Sequence, residues 1–416
     1  MLEKETTFRS GLLGKTLAHS HSPAIHAMLG NPDYKLFEIA EEDVGAFLQS
    51  DFDGINVTIP YKKTVMPYLR YIDTEALEIG SVNTIVRRAD GLYGYNTDIY
   101  GFEKTLVRAG ISFNGKKILV LGSGGAAQTV LYAAKKHGGN AITVSRSGEV
   151  NYGNVHALHG DADIIVNTTP VGMYPNNGIS PLPLGGFKQL EAVVDLIYNP
   201  YKTALLLEAE RMNIKTASAL DMLFYQAARA CELFFGGRPD EAQVEALYKR
   251  FEADKLNVVL VGMPGCGKST VGALLAEKLG RCFADTDAII EADSGMRCAE
   301  IIEKFGEAEF RRRETEAVNK AGMMTNAVIA TGGGVVTRPE NTDPLRQNSR
   351  IYFLDRDIGE LATYDRPLSA THGVRALYEK RLPLYKAIAD FTVRVTEPQE
   401  NANRIIKEHY DEDTCN

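Results

Sequence analysis

Two glycine-rich turns carry the strongest chemical signal in this chain of 416 residues. Gly122-Ser123-Gly124-Gly125-Ala126-Ala127 follows the apolar run Ile118-Leu119-Val120-Leu121, and Gly262-Met263-Pro264-Gly265-Cys266-Gly267-Lys268-Ser269 follows Val258-Val259-Leu260-Val261. The first has the form that holds a dinucleotide, the second the form that wraps a nucleoside triphosphate. A redox reaction and a phosphoryl transfer on one polypeptide are therefore predicted. In the first turn, Gly122 permits the tight reversal, Gly124 lets the backbone approach a pyrophosphate, and Ala127 allows close helix–strand packing. Gly125 and Ala126 open a helix whose N-terminus would face the phosphates. The next strand ends in Ser145, Arg146 and Ser147, where an NAD enzyme usually places an acid on the ribose. An arginine between two hydroxyls suits a 2′-phosphate, hence NADP(H). The plain alternative is an exposed loop arginine.

Upstream lie three polar clusters that a bare cofactor domain would not need: Ala18-His19-Ser20-His21-Ser22-Pro23, Asn56-Val57-Thr58-Ile59-Pro60-Tyr61-Lys62, and Val82-Asn83-Thr84 with Asn96-Thr97-Asp98. They offer hydroxyls, carboxamides, one ammonium and one carboxylate, a fit for a polyhydroxylated anionic ring. His19 and His21 lack an acidic partner nearby and read as loop residues rather than metal ligands. Each Asn or Thr alone would be a turn or cap residue.

In the second turn, Gly262, Gly265, Cys266, Gly267 and Thr270 would cradle the phosphates of ATP, with Lys268 on the β and γ groups and Ser269 on Mg²⁺. Phe283-Ala284-Asp285-Thr286-Asp287 reads as the end of a second strand. Two carboxylates two residues apart on a strand face the same way, which is costly without a cation or ligand between them. In Glu309-Phe310-Arg311-Arg312-Arg313-Glu314, Arg312 fits a solvated helix face. Thr331-Gly332-Gly333-Gly334-Val335 closes a strand and suggests backbone packed against a small ligand. Asp365-Arg366-Pro367-Leu368 and Arg381-Leu382-Pro383-Leu384-Tyr385 complete the set.

The elements that must position these residues alternate as short β-branched runs and helical stretches, which points to parallel α/β architecture. The length exceeds what one core usually serves, so two or three domains are expected. Strands are predicted at 55–59, 118–121, 141–144, 164–167, 193–196, 258–261 and 328–330, with an Ala-rich helix over 217–235 and another over 240–252. A substrate domain over 1–105, completed by helices in 217–250, a Rossmann-type domain over 106–250, a short polar linker at 251–256 and a P-loop domain over 257–416 are expected. The net charge of -8 argues against bulk nucleic-acid or anionic-membrane binding. No apolar run approaches a membrane span and the N-terminus lacks a signal core. Five cysteines, at 231, 266, 282, 298 and 415, show no paired spacing, consistent with reduced thiols in a cytoplasm. Self-association stays open.

Taken jointly, the clusters of residues 8–250 resemble shikimate dehydrogenase. The carriers are Ser20-x-Ser22-Pro23, Asn56-Val57-Thr58-x-Pro60-x-Lys62, Val82-Asn83-Thr84, Asn96-Thr97-Asp98, the first glycine turn, Asn167-Thr168-Thr169-Pro170-x-Gly172-Met173, and Tyr198. The resemblance implies that Ser20, Ser22, Thr58, Asn83, Asp98, Tyr198 and Gln226 surround the substrate. It makes Lys62 and Asp98 the catalytic pair for reduction of 3-dehydroshikimate to shikimate with NADPH. Ile99 and Ala219 stand where many members have glycine.

Residues 256–410 resemble shikimate kinase. Asp287, Arg311, Gly332, Gly333, Gly334 and Arg381 would hold shikimate, the two arginines pairing its carboxylate through planar forks. Asp285 would help hold Mg²⁺, Asp287 would meet the reacting 3-hydroxyl, and Arg366 would reach the transferring phosphate from a short lid, 359–375. Rival readings are a quinate/shikimate oxidoreductase using NAD, a non-catalytic shikimate sensor built from these domains, and a nucleotide-monophosphate kinase in the second half.

Overall fold

The computed structural model describes residues 8–18, 20–237, 240–361 and 373–410. His19, Arg366 and most of the expected lid lie outside them. The chain divides into two compact units, one formed by 1–198 with 205–248, the other by 199–204 with 249–416. The class is α/β, as the alternation of elements predicts.

The first unit holds two sheets. One contains β1 (Ser10–Gly14), β2 (Lys35–Glu38), β3 (Gly54–Val57), β4 (Tyr71–Ile72), β5 (Thr84–Arg88) and β6 (Gly91–Tyr95), in the order β2-β1-β3-β5-β6-β4. It is mixed: β1 pairs parallel with β2 and β3, while β5 runs antiparallel to both β3 and β6. The other contains β7 (Lys117–Leu121), β8 (Asn140–Val144), β9 (Ile164–Asn167), β10 (Ala192–Asp195) and β11 (Lys215–Ser218), all parallel, in the order β11-β10-β9-β7-β8. Its central strands are buried on both faces. Ile118 and Val120 enter one core with Phe102 and Val130, whereas Leu119 and Leu121 enter another with Val155 and Leu205. This is the period of two working on each side of a parallel sheet.

The sheet order reverses between β8 and β9 on either side of β7, and a crevice at such a switch point is where this architecture binds ligands. The Ala-rich segment 217–235 is corrected at its start: residues 215–218 form β11, and the helix is Ala219–Phe235, capped by the Ser218 hydroxyl. It packs on the helix Asp98–Arg108, where a Cβ on Gly101 would lie 2.6 Å from the Met222 carbonyl.

The second unit is built on β12 (Asn257–Val261), β13 (Cys282–Asp285), β14 (Ala327–Ala330), β15 (Ser349–Asp355) and β16 (Phe391–Arg394), again all parallel, in the order β13-β14-β12-β15-β16. The central strand β12 feeds the second glycine turn. The stretch 251–255, expected as linker, is the last turn of the helix Glu241–Lys255. Glu, Ala and Lys are good helix formers and no Gly or Pro interrupts them. Among the described residues no helix is long and apolar enough to cross a membrane.

Candidate active sites

In the first unit a cavity of about 420 Å³, in the usual size range for a small-molecule site, gathers the predicted residues. Ser20, Ser22, Thr58, Lys62, Asn83, Asp98, Tyr198 and Gln226 all line it. Ser22 opens the helix Ser22–Met28, and its N–H donates to the Ser20 hydroxyl at 3.2 Å. Thr58 leaves the end of β3 and starts a turn closed by the Tyr61 N–H to the Thr58 carbonyl, 2.9 Å. Tyr61 is buried and its hydroxyl donates to the Ile39 carbonyl at 2.6 Å. That anchor presents the neighbouring Lys62 to the cavity.

Lys62 Nζ donates to Asp98 Oδ2 at 2.5 Å, and Asn83 Nδ2 donates to Asp98 Oδ1 at 2.8 Å. Both carboxylate oxygens are thereby engaged. Asp98 sits in the first turn of the helix Asp98–Arg108, where the backbone dipole favours an anion. Its own N–H is held by Asn96 Oδ1 at 3.1 Å. An ammonium and a carboxylate fixed against each other beside hydroxyls and amides can bind a polyol and stabilise negative charge developing on a carbonyl oxygen.

The first glycine turn leaves β7 beside the end of β8, with the Gly122 N–H on the Val144 carbonyl at 2.8 Å. Gly122 has φ 109°, and a Cβ there would lie 2.7 Å from the Thr168 hydroxyl, so both backbone and space demand glycine. A Cβ on Gly124 or Gly125 would meet nothing within 4 Å. The helix Gly125–Lys136 has no side-chain cap at its start, so its first N–H groups face an open space fit for a diphosphate. Ala126 lies in its first turn. Ser145, Arg146 and Ser147 follow β8 directly, with Arg146 and Ser147 at the surface. These residues fit NADP(H).

In the second unit the loop 262–267 precedes the helix Lys268–Leu279, whose N-cap Gly267 provides no side-chain cap. Lys268 is buried, and its ammonium donates to the Gly262 and Met263 carbonyls, both at 2.9 Å. The Ser269 hydroxyl donates to Asp285 Oδ2 at 2.7 Å. Among the described residues no cluster of three or more His, Cys, Asp or Glu could hold a metal. Mg²⁺ usually takes one or two protein oxygens together with substrate phosphates and water, and the Ser269–Asp285 pair fits that pattern.

The Asp285/Asp287 expectation is corrected in its geometry. β13 ends at Asp285, which caps the helix Thr286–Ser294 by accepting the Asp287 N–H at 3.0 Å. The two carboxylates are therefore cap and first turn, not two positions on one strand face. Burial, then the nearby Asp285 charge, pushes the Asp287 carboxyl up to about 6, against the pull of Lys268.

The three glycines also have a place within the protein's own packing. A Cβ on Gly332 would lie 2.7 Å from Glu314 Oε1 and 2.8 Å from Asp287 Oδ1, one on Gly333 would meet the Pro264 ring, and one on Gly334 would overlap the Arg311 guanidinium. They make room first for the protein's own side chains. Arg311 is gripped by Glu314 Oε2 at 2.8 Å and Glu307 Oε1 at 3.1 Å, and Arg381 donates to the Gly333 carbonyl at 3.1 Å. Asp287 Oδ1 and Glu314 Oε1 are buried with no hydrogen-bond partner among the described residues. Two orphaned carboxylate oxygens thus lie close to two buried arginines, and such acceptors call for a donor such as a ligand hydroxyl. Gly334→Ala should push Arg311 out of its grip and destabilise the second unit by about 1.5–3 kcal/mol, the worth of a charge-assisted hydrogen bond. An unchanged midpoint of that unit in urea unfolding would refute it.

Residues 12–85 match the family described as shikimate dehydrogenase substrate binding domain, and residues 264–410 match the shikimate kinase family. A shikimate dehydrogenase (NADP(+)) from Clostridium beijerinckii is 38% identical over 264 residues, covering 58% of this chain and 97% of that protein. The chain belongs to the shikimate dehydrogenase family. Shikimate 5-dehydrogenase from Thermus thermophilus, solved with NADP(H) and shikimate, superposes with a TM-score of 0.52 at 32% identity, over 58% of this chain and 99% of that one. Quinate dehydrogenase from Corynebacterium glutamicum, solved with NAD, gives 0.53 at 26%, over 59% and 98%.

Within the shikimate dehydrogenase unit, the two departures from the family pattern have different surroundings. Ile99 is buried in the core with Phe102, away from the cavity, whereas Ala219 lines it. Sequence reasoning missed Asn56, Thr16 and Met222 as lining residues. Asn56 was visible inside its motif, but a polar residue in a strand carries no sign of what it faces. In the kinase-like unit, Glu314 was missed because it closes a charged run that reads as solvated. Its i, i+3 spacing from Arg311 was the available signal. Arg312 does lie on an exposed face, paired with Glu309 and Glu316.

Proposed function

We propose that the chain is a bifunctional enzyme, reducing 3-dehydroshikimate to shikimate with NADPH in the first unit and phosphorylating the 3-hydroxyl of shikimate with ATP in the second. The observation that carries the first half is the Lys62–Asp98 pair inside the cavity, in a chain whose relatives over that stretch are shikimate dehydrogenases. NADPH, when bound, supplies the hydride. Lys62 faces the oxygen of the reacting carbonyl and donates a proton to it or neutralises its charge. Asp98 orients Lys62 and accepts from ring hydroxyls. Ser20 and Ser22 hydroxyls suit the substrate carboxylate.

In the second unit, ATP supplies the phosphoryl group. Lys268 holds the phosphates, Ser269 and Asp285 hold the metal shell, and Arg311 and Arg381 pair the acceptor's carboxylate. Asp287 takes the proton of the 3-hydroxyl and must be ionised to do so. With its carboxyl at about 6, kcat/KM for shikimate should be flat above that pH and fall by up to about tenfold per unit below it. A profile level down to pH 5 would remove Asp287 as base. Arg366 is proposed for the transferring phosphate and lies outside the described residues.

The test is one incubation of the protein with 3-dehydroshikimate, NADPH and Mg-ATP, read by mass spectrometry. Shikimate 3-phosphate should require both cofactors, with shikimate accumulating when ATP is omitted. The likeness to a quinate dehydrogenase keeps a second reading, oxidation with NAD. Arg146 favours NADP, and kcat/KM with each cofactor decides.

A further inference from the structure

Behind the pair Lys62–Asp98 a chain of hydrogen bonds runs into the protein interior, and one backbone group fixes its direction. The Thr97 N–H donates to Asn83 Oδ1 at 2.7 Å. A backbone amide only donates, so Asn83 must turn its oxygen to Thr97 and its nitrogen to Asp98 Oδ1, 2.8 Å away. The Thr84 hydroxyl lies 3.1 Å from that Asn83 oxygen and 3.1 Å from the Thr97 hydroxyl. Its proton is committed there, which leaves its lone pair for Asn56 Nδ2 at 3.0 Å. Asn56 therefore presents Oδ1 to Tyr34, whose hydroxyl donates to it at 2.8 Å.

Tyr34 is 5% exposed, does not line the cavity, and stacks on His26 with ring centroids 3.7 Å apart. Its ring is thus locked, and its hydroxyl is the donor seen on Asn56 Oδ1. We propose that Tyr34 is a positioning residue for the reduction, holding Asn56, and through Thr84 and Asn83 the Asp98 carboxylate, in the orientation that pairs with Lys62. The inference rests on the reading of the first unit as a 3-dehydroshikimate reductase. Without the Tyr34 hydroxyl, Asn56 Oδ1 loses the donor that fixes it at 2.8 Å, and a flip does not replace it, since the turned oxygen would face the Asn83 carbonyl that now accepts from Nδ2. Asn56 is then free to shift, and with it the Nδ2 donor that holds the Thr84 hydroxyl. The Thr84 bond to Asn83 Oδ1 weakens with it. Thr97 still donates to that oxygen from its N–H and its hydroxyl, so the effect reaches Asp98 as a small displacement of Asn83, and small displacements of reacting groups are expensive in rate.

Tyr34→Phe keeps the ring and removes the hydroxyl, and Thr84→Val removes the next link. Each is measured as kcat per NADPH-binding site in the full chain, so that only folded dehydrogenase units are counted. Tyr34→Phe should lower this kcat by about tenfold with the NADPH Kd unchanged. Thr84→Val should do the same, and the double variant should be no slower than the worse single one, because both break the same chain. A Tyr34→Phe kcat within about a factor of two of wild type, or losses that multiply in the double variant, would overturn the proposal. A wild-type protein that binds NADPH but does not reduce 3-dehydroshikimate would instead bring down the reading on which it rests, and the inference with it.

Discussion

Lys62→Ala should lower kcat for 3-dehydroshikimate reduction by about 10³-fold, within the range for losing a positioned acid, and leave shikimate phosphorylation by the same chain unchanged. Lys62 is the one ammonium among the residues lining the cavity. An oxyanion forming there would otherwise be left to hydroxyls, amides and the His21 ring, beside the Asp98 carboxylate, a weaker set of donors than an ammonium. Asp98 keeps its bond from Asn83 in the variant, so the helix start that carries it should stay in place. The two activities assayed on one preparation check this directly. Loss of both in a folded protein would contradict two independent sites.

Lys268→Met should do the reverse, cutting phosphorylation by about 10²- to 10³-fold, the scale for removing one preorganised donor at a site of developing charge. Methionine keeps much of the buried volume. It abolishes the two hydrogen bonds by which the ammonium closes the loop on the Gly262 and Met263 carbonyls. Weaker ATP affinity should accompany the fall in kcat, since the same group orders the loop and, on the proposed reading, meets the phosphates. Reduction of 3-dehydroshikimate serves as the control and should keep its wild-type rate. A phosphorylation rate close to wild type would show that Lys268 serves the loop and not the reaction.

How far the residues disclose this arrangement depends on what each one needs from its neighbours. The glycine turns were readable because backbone conformation and phosphate access impose residue types at fixed steps, as at Gly122 with its positive φ. Central parallel strands such as β7, β9, β12 and β14 were readable because nearly every position along them is apolar, whereas β11 and β16, with polar residues at most positions or at alternate ones, were not. Asp287 was misplaced for a local reason: β13 ends at Asp285, which also caps the next helix, so Asp287 falls in that helix's first turn and not on the strand. Glu314 and Asn56 were hidden for a tertiary reason. Glu314 is fully buried against Arg311, and Asn56 meets partners from β5 and from Tyr34. Nothing in a one-dimensional pattern separates such residues from solvated neighbours of the same type. The start of the helix at Ala219 was overrun because a short edge strand, Lys215–Ser218, abuts it without a turn.

The doubly buried strands have an evolutionary consequence. From Ile118 to Leu121 each side chain fills one core or the other, so a smaller or polar side chain there costs packing whatever the cofactor. The segment 145–147 instead follows β8, an edge strand that is mostly only partly buried, and Arg146 and Ser147 lie on the surface. Cofactor preference, on the reading proposed for Arg146, would then be set by side chains outside the cores. A lineage could move between a phosphorylated and an unphosphorylated ribose by a few changes there, with the scaffold conserved around them.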